Sequence, residues 1–67
     1  MNKLFTITDA YNNIEGLEHA RALRWAKIAN ETYKKYVTTG NPEQASIRKA
    51  IQKANEFIKG LNNGINS

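Results

Sequence analysis

The stretch Thr38-Thr39-Gly40-Asn41-Pro42-Glu43-Gln44 restricts the fold more than any other in this sequence, because it carries the signals that close one helix and open another. Gly40 suits the left-handed residue just past a helix end, Asn41 an N-cap, and Pro42 the first helical position. Gln44 then stands where its side chain completes a capping box with Asn41. Periodic apolar segments lie on both sides of this turn, so the chain is read as an antiparallel hairpin of two longer helices.

The first long helix is expected over about residues 17–38. At about 100° per residue, Ala22, Leu23, Trp25, Ala26, Ala29, Tyr33, Tyr36 and Val37 form a broad apolar face opposite Arg21, Arg24, Lys27, Glu31, Lys34 and Lys35. Ala22, Ala26 and Ala29 make a smooth seam that another helix can approach closely. Leu17 and Ile28 lie off this face. The second long helix, about 42–61, carries a narrower stripe of Ile47, Ala50, Ile51, Ala54, Phe57, Ile58 and Leu61 at three- and four-residue steps. Asn62 to Ser67 are read as a disordered tail, which leaves residues 1–61 as a single domain.

Ahead of the hairpin, Phe5-Thr6-Ile7-Thr8 would suit a strand only if a second strand paired with it. A short helix over 7–15 fits better, with Thr6 as N-cap, Asp9 three residues on in a capping-box arrangement, and Phe5 packing on Ala10 as a staple. Gly16 offers the stop. The fold class read from the residues is therefore all-α, a short N-terminal helix packed on an antiparallel hairpin.

A chain of 67 residues exposes much of its surface even when folded and draws roughly 3 to 5 kcal/mol from its core alone. Cysteine is absent and His19 is the single histidine, so disulfides and thiolate metal sites are excluded and neither a metal nor another cofactor is expected. No catalytic constellation stands out. The serines, Ser46 and Ser67, lie in a helix first turn and at the chain end; His19 reads as a helix-end histidine, and Glu15 with Glu18 as a solvated junction. We expect no enzyme and no small-molecule substrate. The N-terminal residues lack a signal-peptide core and no stretch is long enough to span a membrane, so a cytoplasmic protein is expected.

The net charge of +4 opens two functional readings. Much of the charge serves helix stability: Glu18 and Glu43 stand near helix starts, Lys34, Lys35 and Lys59 near helix ends, and Glu31 and Glu56 have lysines one turn away. In the first reading the narrow stripe covers only part of the broad aromatic face. Trp25, Tyr33 and Tyr36 then either fill the hairpin core or, with Ile28 beside them, anchor a partner protein or a second copy. The alternative is a small basic nucleic-acid binder that lays Arg21, Arg24, Lys27, Arg48 and Lys49 along a phosphate backbone.

From His19-Ala20 through Trp25, Asn30, Tyr33 and Tyr36 the sequence resembles the ChaB-type proteins, small helical proteins of bacteria and phages. In that pattern His-Ala leads to an aromatic residue, then Asn, a second aromatic and Tyr. One extra residue stands between His19 and Trp25 here, and the match covers about half the chain. The resemblance implies a regulatory protein, the family name pointing to cation transport, and it implies no catalytic site. The function expected is a non-catalytic protein-interaction module with a regulatory role.

Overall fold

The computed structural model describes residues 4–66, with side-chain surroundings over residues 4–60. The chain is all-α, in the order α1 (Ile7–Asn13), α2 (His19–Thr38) and α3 (Glu43–Asn66). At about 1.5 Å per residue, α3 alone sets the 38 Å long axis of the molecule. α2 packs against α3 and also against α1, so the middle helix is the shared wall.

α1 is short and begins on its capping box. The Asp9 N–H donates to Thr6 Oγ1 at 3.4 Å, and the Thr6 N–H donates back to Asp9 Oδ2 at 2.8 Å. Those bonds satisfy two of the amides that a helix start leaves open. Its far end is closed by Ile14 N–H to the Ala10 carbonyl at 2.9 Å, two residues before the expected limit. Gly16, at φ +73°, then turns the chain into α2. Glu18 occupies the N-cap position of α2 without a side-chain hydrogen bond, just outside the first turn in which sequence had placed it.

The turn after α2 forms, but Asn41 does something other than expected. The Gly40 N–H reaches the Val37 carbonyl at 3.0 Å and the Asn41 N–H reaches the Tyr36 carbonyl at 3.1 Å, with Gly40 at φ +94°. This pair of bonds is a Schellman motif. Asn41 Nδ2 donates to the Tyr36 carbonyl and to Thr39 Oγ1, both at 3.0 Å, so its side chain closes α2 instead of capping α3. The Pro42 carbonyl accepts from the Ser46 N–H at 2.9 Å, which makes Pro42 the residue flanking α3 and moves the helix start to Glu43. Open carbonyls at the end of α2 compete for the amide that the capping box needed, and the nearer acceptors win.

Gly40 has no atom within 4 Å of where a Cβ would sit, so substitution there costs backbone conformation alone. Gly40→Val is expected to destabilise the fold by about 1–2 kcal/mol, and Gly40→Asn by less. Equilibrium urea unfolding measures both; an unchanged midpoint for Gly40→Val would show that the turn is held another way.

The hairpin closes on small residues. Ala22, Ala26 and Ala29 of α2 are buried, as are Ser46, Ala50, Ala54 and Ile58 of α3. The α3 row therefore runs through Ser46 at four-residue steps, whereas the expected stripe ran through Ile47 and Phe57. Ile47 and Ile51 are half-buried and Phe57 is 41% exposed. The physical reason is close approach. Opposed small side chains bring the helix backbones together, so the row that fits between them wins over the bulkier row beside it. Ser46 joins it because its hydroxyl donates to the Pro42 carbonyl at 2.9 Å, so the buried hydroxyl is itself satisfied.

α3 continues beyond the expected stop near residue 61 and beyond the start of the expected tail, to Asn66. A glycine inside a helix costs only about 1 kcal/mol, so neither Gly60 nor Gly64 ends it. Lys59 therefore lies a turn and more inside the helix instead of at its end. Glu56, expected beside Lys53 and Lys59, accepts from Gln52 Nε2 at 3.1 Å. Residue 67 lies outside the described residues.

Candidate functional site

The aromatic face of α2 does not stand open. Trp25 is fully buried and Tyr33 is 5% exposed, so the face expected to be left over is covered within the chain. Phe5 covers them. Its ring meets Trp25 edge-on with centroids 6.0 Å apart and Tyr33 at 6.2 Å, both within the range of favourable aromatic pairs. On α3, Asn55 Oδ1 accepts the Trp25 Nε1–H at 2.7 Å, so the one polar atom of the indole is paired as well. The narrow α3 stripe leaves part of the broad α2 face uncovered, and the N-terminal segment fills the rest.

Asn30 holds that segment in place. Its Oδ1 accepts the Phe5 N–H at 2.6 Å, and its Nδ2 donates to the Phe5 carbonyl at 3.0 Å. A side-chain amide thus pairs with both backbone groups of one residue, as a neighbouring strand would. Periodicity did not single Asn30 out. The signal available was a polar residue beside the apolar face of a long helix, between Trp25 and Tyr33, and it is one of the residues that carry the ChaB-type resemblance.

The remaining expected anchors, Ile28 and Tyr36, are half-buried and lie at the margins of the core. Ile28 lines an open groove between α2 and α3 with Arg24, Lys27, Glu31, Thr32, Lys53 and Phe57. Its lining combines two large apolar side chains, Ile28 and Phe57, with three cations and one carboxylate. A second, shallower depression runs along α3 past Arg48, Ile51, Gln52, Asn55, Glu56 and Lys59.

The cations expected to follow a nucleic-acid backbone divide between these places. Arg24 and Lys27 border the first groove and Arg48 the second. Arg21 and Lys49 are half-buried. His19 is exposed at the first residue of α2, with Nδ1 3.4 Å from Tyr11 Oη, and Glu15 and Glu18 are exposed. Among the described residues, no group of acidic or histidine side chains converges as a metal site, and no helix is long and apolar enough to cross a membrane.

No protein-family model, curated protein or solved structure matches this chain.

Proposed function

We propose that this chain is a small non-catalytic protein-interaction module with a regulatory role, binding its partner in the groove between α2 and α3. The observation that carries this reading is Phe57, 41% exposed beside Ile28 and bordered by Arg24, Lys27 and Lys53. A large apolar side chain left partly in water among cations is the pattern of a binding anchor. The matching partner presents one or two apolar side chains flanked by carboxylates. Rim charges of this kind steer encounter more than they add affinity, so salt weakens such binding gradually.

The same groove favours a second reading. Arg24, Lys27 and Lys53 are three cations along one surface, and phosphates are their other natural counterpart. Capture from lysate with the wild-type chain and with Phe57→Ser, each with and without nuclease, separates the two. Proteins retained by the wild type, lost with Phe57→Ser and indifferent to nuclease support the interaction module. Retention that vanishes on nuclease treatment or in Arg24→Gln, and persists in Phe57→Ser, supports the nucleic-acid binder. Phe57→Ser removes half-exposed apolar area and is expected to cost only about 1 kcal/mol of stability, so both proteins are folded in the comparison.

A further inference from the structure

The contact between Phe5 and the hairpin has the chemistry of peptide recognition. Asn30 addresses only main-chain atoms of residue 5, the N–H at 2.6 Å and the carbonyl at 3.0 Å, and would pair equally with any residue in that extended backbone geometry. Selectivity comes from the ring. Trp25 and Tyr33 form the aromatic walls, and Phe5 is 3% exposed between them. Backbone pairing for affinity together with a pocket for one side chain is the logic by which folded domains bind extended peptides.

Three further features make the occupant exchangeable. Leu4, next to Phe5, is 71% exposed, so the grip begins at Phe5 and continues through Ala10, with Ile7 and Ile14 packed beside it. The occupant continues into α1, whose capping box is internal to residues 6–9 and travels with it. It is joined to the hairpin through the turn at Gly16, while the hairpin keeps its own seam of Ala22, Ala26 and Ala29 with Ser46, Ala50 and Ala54 and its own bond from Trp25 to Asn55.

We propose that the cleft of Trp25, Asn30 and Tyr33 is a binding site for an extended segment bearing a phenylalanine. Phe5 fills it within the chain, and at high concentration the Phe5 segment of a second copy fills it in exchange, giving an arm-swapped dimer. Tethering through a short turn gives the internal segment an effective concentration on the order of millimolar, so the exchanged form appears as total protein approaches that range.

The test uses the full 67-residue chain carrying Phe5→Ala and a synthetic peptide of residues 4–13. The peptide should raise the urea midpoint of the variant in a saturable way, or restore its helical circular dichroism if the variant is unfolded alone. The same peptide with alanine for phenylalanine should do neither, and the double variant Phe5→Ala, Asn30→Ala should not respond. Wild-type chain, its cleft already filled, should require at least about tenfold more peptide. For the dimer, wild-type chain refolded at about 1 mM from an equal mixture of isotope-labelled and unlabelled protein should show intermolecular proton contacts between Phe5 and Trp25. Absence of any peptide response at millimolar concentration, or an equal response to the phenylalanine-free peptide, overturns the binding site. A strictly monomeric refolded mixture overturns the exchange.

Discussion

Trp25→Ala is expected to leave the chain unfolded at 25 °C. Trp25 is fully buried, and truncating a core aromatic to alanine costs about 3–5 kcal/mol, which equals the whole stability of roughly 3–5 kcal/mol open to a helical chain of this size. The loss concentrates here because the indole is the common neighbour of both halves of the fold. It meets the Phe5 ring from the N-terminal segment, and its Nε1–H is accepted by Asn55 of α3. Removing it opens a cavity between segments that have little else in common. Trp25→Phe keeps most of the volume and deletes the hydrogen bond, so a smaller cost of about 1–3 kcal/mol is expected. Far-UV circular dichroism against urea measures both. A cooperative transition for Trp25→Ala within about 1 kcal/mol of wild type would mean that the indole is not the centre of the core.

Asn30→Ala should cost about 2–3 kcal/mol without creating a large cavity. The Phe5 N–H and carbonyl both lose their partner, and an unsatisfied part-buried backbone group costs about 1–3 kcal/mol, with water recovering some of it. Asn30→Asp discriminates between lost packing and lost pairing. A carboxylate still accepts from the Phe5 N–H but has no hydrogen to give the Phe5 carbonyl, and it sets lone pairs against that oxygen. No gain over alanine is expected. Amide exchange supplies the local readout: the Phe5 N–H should exchange slowly in the wild type and at least tenfold faster in Asn30→Ala, as about 1.4 kcal/mol of lost local protection requires. Equal protection in the two proteins would remove Asn30 from its role as the clamp.

The two substitutions act on the face of α2 that the N-terminal segment covers. Reading Trp25 and Tyr33 as partner anchors depended on their face being left over, and Phe5 takes up that surplus. Exposed apolar area remains at Phe57, with half-buried Ile28 in the same groove among Arg24, Lys27 and Lys53. Ile28 keeps its place as a candidate contact. For the aromatic cleft, by contrast, binding requires that its present occupant leave, which ties any partner there to release of the N-terminal segment.

Helices and turns were legible in the residues because their determinants are local. Thr6 and Asp9 stand three positions apart, and the N–H groups of Gly40 and Asn41 reach carbonyls three and five residues back. Such contacts form whatever the rest of the chain does, so side-chain chemistry and spacing suffice to read them. Even here the competition at Asn41 went the other way, since an amide with acceptors on both sides has no sequence label for which it takes. Amphipathic faces could be drawn from periodicity, but not which residue lies at the centre of the seam. Ser46 displaced Ile47 from the centre of the interface by the closeness of two backbones, a distance that exists only once α2 and α3 have met.

The all-α hairpin with its short leading helix was therefore written in the residues alone, each element carrying its own start, stop and apolar face. Which part of the aromatic surface would remain in water was not. That depended on Phe5 meeting Asn30, 25 positions away, through backbone atoms that every residue possesses and that leave no mark in a sequence pattern. A side-chain amide pairing with a main chain has no periodicity, so tertiary structure decided between core and open face for Trp25 and Tyr33, and left Phe57 41% exposed.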